Sequence, residues 1–220
     1  GETLYNTAWL ENAGENVSTG KVVEGYFRYN FFDTESTKLP YAVGTYMGKK
    51  KVFGVGAGFF SQGNGTTTAS ISTDPSGNIT RNYTANNVLH LSADAFLDMP
   101  VNNGEGAINA YATVMQFNYG NDNYSGLWGG TGTAFYGHLG YFIKKARIMP
   151  YVAYQYRSYK KYQDDNNPDT DNGSSINAGI NYYINGHNAK LTLEYHQITN
   201  RPVNGSTDVS QIRLQAHVFL

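Results

Sequence analysis

The sequence is dominated by segments in which apolar and polar residues alternate with a period of two, separated by turn-forming residues. The clearest of these segments ends the chain, where every second residue is apolar. Its apolar set is Ile212, Leu214, Ala216, Val218 and Leu220. Because successive side chains of a β-strand point to opposite faces of a sheet, this pattern predicts strands with one apolar face. No segment carries a convincing apolar stripe at helical spacing, so the pattern predicts an all-β protein.

The same alternation predicts about ten strands. They lie at residues 20–32, 40–47, 52–62, 87–99, 106–118, 132–143, 148–160, 176–184, 189–196 and 211–220. Short turns alternate with longer polar connections along the chain. The short turns are Gly48–Lys51, Pro100–Glu105, Lys144–Arg147 and Asn185–Asn188; the longer connections are Asp33–Leu39, Gly63–Asn86, Gly120–Thr131, Gln163–Ser174 and Asn200–Ser210. An antiparallel meander with its short turns at one end is typical of a transmembrane β-barrel. We therefore expect an up-and-down antiparallel barrel domain over residues 20–220, preceded by a loop or preceding-strand segment over residues 1–19.

Composition agrees with a barrel and excludes other classes. The net charge is −1, so the chain lacks the basic surface of a nucleic-acid binder. There is no cysteine, which excludes a disulfide framework and a thiolate metal site. No apolar run approaches the roughly 18 residues of a membrane-spanning helix. The 19 tyrosines and 25 glycines are high for a soluble domain, but they fit a barrel with aromatic girdles, whose lipid-facing and lumen-facing residues average to a low hydropathy.

Glycines occupy every second position of one predicted strand, at Gly54, Gly56 and Gly58. Two interpretations remain open. Glycine on an inner face frees space for something in the lumen to approach the wall, or it allows the strand to bend.

The chain end and several internal stretches resemble known outer-membrane proteins. The apolar pattern of Leu214, Ala216, Val218 and Leu220, with Phe219 beside the last residue, resembles the C-terminal assembly signal of bacterial outer-membrane barrels. Stretches at residues 39–59, 98–100, 150–157 and 181–191 resemble the porin family related to phosphate-selective porins, in the form common in Bacteroidetes-type bacteria. The match is strongest at residues 41–59 and 182–193.

The resemblance implies a barrel of about sixteen strands, a size associated with a water-filled channel. On this interpretation the chain is the C-terminal portion of a larger barrel. The alternative is that ten strands close by themselves, which leaves a narrow interior.

Polar residues that face the lumen are the functional candidates of a channel, because rings of charge set ion selectivity. The predicted lumen and selectivity residues are Arg28, Asp94, Arg157, Lys190, Glu194, Arg213 and His217. Among them Arg157, Lys190 and Arg213 are the candidates for contact with anions. Both signs of charge occur, however, so the alternative is that opposite charges pair across neighbouring strands and stabilise the wall.

The sequence does not predict an enzyme or a metal centre. His90, Ser92 and Asp94 share one strand face, but residues two apart on a strand lie about 7 Å apart, too far for a nucleophile–base hydrogen bond. The acidic loop Asp164–Gly173 lacks the spacing of an EF-hand, and we expect it to be a solvated outer loop. No cofactor is expected.

We therefore expect a porin of the bacterial outer membrane that passes small hydrophilic solutes or anions by diffusion. Its expected partners are outer-membrane lipid and lipopolysaccharide, the barrel-assembly machinery, and possible homotrimer subunits or other envelope proteins. One alternative is a non-conducting barrel with a structural or partner-binding role in an envelope complex. Another is a soluble β-sandwich that binds carbohydrate through exposed Tyr and Trp.

Overall fold

The computed structural model describes residues 19–35, 44–120, 130–160, 170–199 and 208–218. Within these ranges the chain forms nine β-strands and a single 3₁₀ turn, η1, at Asn102–Gly104. The strands are β1 (Val22–Asn30), β2 (Val52–Thr73), β3 (Ile79–Val101), β4 (Gly106–Asn118), β5 (Gly132–Ile143), β6 (Ile148–Lys160), β7 (Thr170–Asn185), β8 (Ala189–Thr199) and β9 (Val209–Val218).

Each strand pairs antiparallel with its neighbours in sequence, which gives one sheet in the order β1 to β9. The predicted all-β, up-and-down antiparallel architecture is confirmed. The sheet is open within the described ranges, since β1 and β9 each pair with one strand there. Within the described ranges the sheet has nine strands, where about ten were expected for the chain.

The predicted strand at residues 40–47 is not found among the described residues. Its first four residues lie outside the described ranges, but Gly44–Met47 form no strand. The chain turns at Met47 and Gly48, which both have positive φ, and Thr45 is almost fully buried. Among the described residues of this segment, Thr45 and Met47 pack against the sheet although they form no strand.

Because this segment is not a strand, the connection that follows β1 lies at a different end of the sheet from the one predicted. Residues 31–51 join β1 to β2 beyond the Asn30–Gly54 pair, at the end of the sheet that carries the short turns. Asp33–Glu35, the described part of the connection predicted at Asp33–Leu39, therefore lies at the short-turn end and not at the predicted long-loop end, and residues 36–39 lie outside the described ranges. The short turns at residues 102–105, 144–147 and 186–188 agree with the prediction.

The predicted long loop Gly63–Asn86 is mostly strand. After a register shift between Gln62 and Thr66, residues Thr66–Thr73 pair with Ile79–Asn86 and extend β2 and β3 into a hairpin arm. At its tip the Asp74 carboxylate accepts hydrogen bonds from the Ser76 and Asn78 backbone and from the Asn78 side chain. Three donors on one carboxylate hold the turn closed and keep the pKa of Asp74 below its usual value, with Asn78 the main cause.

Strand register divides the side chains between two faces. On the outer face every strand exposes large apolar side chains, for example Phe27, Phe59, Leu91, Val114, Leu139, Val152, Ile180, Leu193 and Leu214. The opposite face, called the inner face here, carries most of the polar side chains and the buried residues Phe96, Asp98, Asn109 and Asn177.

The sheet curves around its inner face. The peptide group between Thr45 and Tyr46 bonds at both ends: its N–H donates to Asp98 Oδ2 on β3 at 3.1 Å, and its carbonyl accepts from His187, after β7, at 2.7 Å. In a flat sheet, β3 and β7 would lie four strand spacings, or about 19 Å, apart. A single planar peptide group contacts both, so curvature brings them together.

Candidate functional site: the inner face of the sheet

The inner face collects all the predicted lumen residues. Strand register places Arg28, Asp94, Arg157, Lys190, Glu194, Arg213 and His217 on this one face. Their role in selectivity stays a prediction, but their common orientation is fixed by the side-chain period of two.

Glycines on β2 make room for side chains from β1. A Cβ atom at Gly56 would overlap the Tyr26 hydroxyl and lie 2.7 Å from Asp94 Oδ2, and one at Gly54 would lie 3.0 Å from Arg28 Nε. Because β2 has no side chains at these positions, Tyr26 reaches across it to Asp94 on β3 with a 2.8 Å hydrogen bond. The space beside these glycines is filled by side chains of the neighbouring strands, among them Tyr26 and Arg28 on β1 and Asp94 on β3, and both interpretations of the glycine face stay open.

Arg28 is held by charge and by an aromatic ring. Its guanidinium forms an ion pair with Glu35, which follows β1, and lies 5.7 Å from the centre of the Phe96 ring. Glu35 also accepts a 2.8 Å hydrogen bond from the Tyr46 hydroxyl. Arg28 therefore joins the wall of the sheet to the connection between β1 and β2.

Charges on β8 and β9 pair across the strands. Glu194 Oε1 lies 3.6 Å from the Arg213 guanidinium, and Glu194 Oε2 accepts a 2.6 Å hydrogen bond from Tyr151 on β6. Arg213 also donates to Gln211. For this pair of residues, the alternative of cross-strand stabilisation is observed. Lys190 pairs through its backbone with Tyr183 and His217, and within the part of the chain described its ammonium has no carboxylate within 4.0 Å.

The connection between β1 and β2 folds onto the inner face at the short-turn end. We call Gly44–Lys51 the inner segment. Besides its bonds to Asp98 and His187, it is held through Gly44, whose carbonyl accepts a 2.8 Å hydrogen bond from Asn109 on β4. Burial and the bond to Glu35 raise the pKa of Tyr46 to about 12. The inner segment thus covers this end of the face with fixed contacts to several strands.

An apolar cluster anchors the same segment. Met47 packs against Ala107, Phe142, Met149 and Tyr183, which come from β4, β5, β6 and β7. The Tyr183 and Phe142 rings meet edge to face at 5.6 Å between centroids. This is the buried hydrophobic cluster closest to the short turns, and the inner segment completes it.

A chain of hydrogen bonds crosses three strands beneath the inner segment. Asn109 Nδ2 donates to Asp98 Oδ2 at 2.9 Å, so Asn109 Oδ1 is left to accept from His138 Nε2 at 2.8 Å. Nε2 of His138 then carries the proton, and Nδ1 accepts from the Tyr136 hydroxyl at 3.2 Å. With these assignments every donor from Tyr136 to Asp98 has an acceptor, which is consistent with a neutral His138 imidazole. Asp98 is fully buried, which explains why it is bonded to both an amide and a backbone N–H.

Sequence reasoning missed the inner segment and this hydrogen-bonded chain. One signal was available: Asp98 and Asn109 face inward and lie directly opposite each other across the hairpin that the short turn Pro100–Glu105 defines. Two polar residues paired at an inward position indicate a buried polar contact rather than a solvated wall.

The outer face carries Leu214, Ala216 and Val218, the described residues of the predicted assembly signal. Leu214 and Val218 are 76% and 66% exposed, and Ala216 lies between them on the same face. Phe219 and Leu220 lie outside the described residues, as does most of the acidic loop Asp164–Gly173. His90, Ser92 and Asp94 share the inner face as predicted, but His90 stacks on Phe60 and contacts Phe117 and Tyr119.

Two further observations concern metal binding and membrane-spanning helices. Among them, no group of three or more His, Asp or Glu side chains is arranged to hold a metal ion. No helix within the described ranges is long and apolar enough to span a membrane.

Comparison of the chain with known protein families, with curated proteins and with solved structures finds no match.

Proposed function

We propose that this chain forms much of the wall of an outer-membrane β-barrel and that the inner face lines its lumen. The observation that best supports this proposal is the separation of apolar and polar side chains between the two faces. Large apolar side chains are exposed on the outer face of all nine strands, while most charged and amide side chains of the strands lie on the inner face. A soluble β-sandwich would pack the apolar face of one sheet against a second sheet; the described strands form one sheet with that face uncovered.

Open edges support completion by further strands. Backbone groups at β1 and β9 would be unsatisfied in hydrocarbon, so a membrane-embedded sheet must close. Because the nine strands alternate in direction, β1 and β9 run the same way and cannot pair antiparallel with each other. An antiparallel barrel therefore needs an odd number of additional strands. A barrel of about sixteen strands and one of about ten both meet this condition, and the proposal favours the larger.

The inner face supports a diffusion channel with weak selectivity. Arg157, Lys190 and Arg213 are offset by Asp94 and Glu194, and Arg213 is paired with Glu194. A mixed wall of this kind admits small hydrophilic solutes without trapping ions of one sign. Passage needs no turnover and no cofactor. Lipid and lipopolysaccharide would cover the outer face, the assembly machinery would insert the barrel, and a trimer or other envelope proteins remain proposed partners.

The inner segment favours one alternative, a barrel that does not conduct. Fixed to β3, β4 and the β7–β8 turn, the inner segment narrows the short-turn end. If further strands close around it tightly, the barrel would serve as a structural or partner-binding element of the envelope.

Two measurements test the proposal. Migration on detergent gels should change on heating, as for folded outer-membrane barrels, and a chain that stays soluble without detergent would refute a membrane location. Planar bilayers then separate the two kinds of barrel. Stepwise conductance supports the channel, and a heat-modifiable barrel that never conducts supports the structural alternative.

A further inference from the structure

A pocket on the inner face contains buried polar atoms that have no hydrogen-bond partner among the described residues. It has a volume of about 280 Å³ and lies between β4 and β8, lined by Tyr136, Gln155, Arg157, Ser175 and His196 together with apolar side chains. Both ring nitrogens of His196 lack a hydrogen-bond partner among the described residues, although the residue is only 8% exposed. Unpaired buried polar groups are rare in folded proteins, and each calls for a specific explanation.

A second unpaired atom lies beside the first. Asn177 on β7 pairs in register with His196 on β8, is equally buried, and its Oδ1 also has no hydrogen-bond partner within the described part of the chain. Ala153 on β6 pairs in register with Asn177, and Gly173 on β7 lines the pocket with the Arg157 guanidinium lying over it. The two orphaned groups therefore occur at one place on the wall.

The donors and acceptors of the pocket identify the class of ligand. Asn177 Oδ1 only accepts hydrogen bonds, a neutral imidazole offers one donor and one acceptor, and the Ser175 hydroxyl and Gln155 amide each do both. A fully deprotonated anion such as sulfate offers acceptors alone and would leave Asn177 Oδ1 unpaired. A hydroxyl group both donates and accepts, so it satisfies every member of this set. The apolar lining with a few polar groups is typical of small-molecule sites.

We propose that this pocket is a binding site for a neutral polyhydroxylated solute, a single sugar ring, within the lumen. The inference rests on the proposed function, because it takes the inner face to be the channel wall. The pocket volume lies just below the 300–1,000 Å³ of sites for larger ligands, which suits one ring better than an oligosaccharide. Bound there, the ring places hydroxyls against His196 and Asn177 and stacks on the side of Tyr136.

The test uses D-glucose as the probe and the full chain refolded in detergent micelles. Saturation-transfer NMR measures the dissociation constant for wild type and two variants of similar side-chain volume. His196→Phe removes both nitrogens and should weaken binding roughly tenfold or more, the factor expected for one lost hydrogen bond of about 1.4 kcal/mol. His196→Gln keeps a donor and an acceptor and should stay within about threefold of wild type. Ser92→Ala, on the inner face of β3 outside the pocket, is the control.

Folding is checked separately by heat-modifiable migration, and His196→Phe should keep it because an apolar ring replaces an unpaired polar one. Conductance without saturable D-glucose binding would overturn the sugar site and leave the channel intact. Equal binding by wild type and His196→Phe would also overturn it, as would displacement of D-glucose by an equal concentration of inorganic phosphate. Failure of the wild-type protein, complete with the strands that close its sheet, to form a heat-modifiable barrel would overturn the proposed function together with the sugar site.

Discussion

Asn109 on β4 links the buried carboxylate of Asp98 on β3 to the backbone of the inner segment. Its side-chain amide donates to Asp98 Oδ2 at 2.9 Å and to the Gly44 carbonyl at 2.8 Å, while its oxygen accepts from His138. Three groups from different parts of the chain, Asp98, Gly44 and His138, bond to one side chain. The Asn109 contact is thus where the wall of the sheet and the inner segment are joined.

Asn109→Ala should destabilise the folded chain by about 2–4 kcal/mol, because it removes one of the donors to the buried Asp98 carboxylate and leaves His138 Nε2 without its acceptor. Urea unfolding of the protein in liposomes measures the change. Asn118→Ala, an exposed position at the far end of the same strand, is the matched control and should stay within about 0.5 kcal/mol. Equal effects of the two substitutions would contradict the assigned role of Asn109.

Gly56→Ala should be destabilising by about 1–3 kcal/mol, the usual cost of forcing extra volume into a packed site. The added methyl group overlaps the Tyr26 hydroxyl and approaches Asp94. Tyr26→Phe removes that hydroxyl, so the double variant should recover part of the loss in a double-mutant cycle. Additive effects in the unfolding free energy would mean that Tyr26 does not lie over Gly56.

The faces of the strands could be predicted from the sequence, and the inner segment could not. A period of two fixes which side chains share a face once a strand exists, so Arg28, Asp94 and Arg213 were placed together correctly. The position of Gly44–Lys51 depends instead on Asp98, Asn109 and His187, which are distant in sequence, and local alternation carries no information about them. For the same reason, the local sequence pattern could not show whether residues 66–86 form the β2–β3 hairpin arm or a loop.

Tyr46 should contribute to stability in a way that depends on pH. Burial, followed by the hydrogen bond to Glu35, raises its pKa from 10.0 to about 12 in the folded protein. A raised pKa means that the contribution is complete below pH 10 and is lost as pH rises toward 12. The difference in unfolding free energy between wild type and Tyr46→Phe should therefore be flat up to pH 10 and shrink above it. A difference that stays constant through pH 12 would show that the hydroxyl is solvated.

Arg213→Ala should shift the ion selectivity of the proposed channel toward cations. The substitution removes a positive charge from the inner face and releases Glu194 from its ion pair, while the hydrogen bond from Tyr151 keeps Glu194 in place. Reversal potentials in a salt gradient across planar bilayers measure the shift. Arg213→Lys preserves the charge and should give the reversal potential of wild type. Unchanged selectivity in Arg213→Ala would mean that Arg213 serves only to pair neighbouring strands.

Adjacent positions on β9 test whether the two faces meet lipid and water. Leu214 lies on the outer face and Gln215 on the inner face, one residue apart. An arginine on the lipid face costs about 2–4 kcal/mol at the bilayer midplane, whereas a substitution facing the lumen changes selectivity instead. Leu214→Arg should therefore reduce the heat-modifiable, membrane-inserted fraction, and Gln215→Arg should leave it unchanged. Because both variants introduce the same charge on the same strand, a general effect of charge on folding would lower both yields equally, and that result would contradict a lipid-facing outer surface.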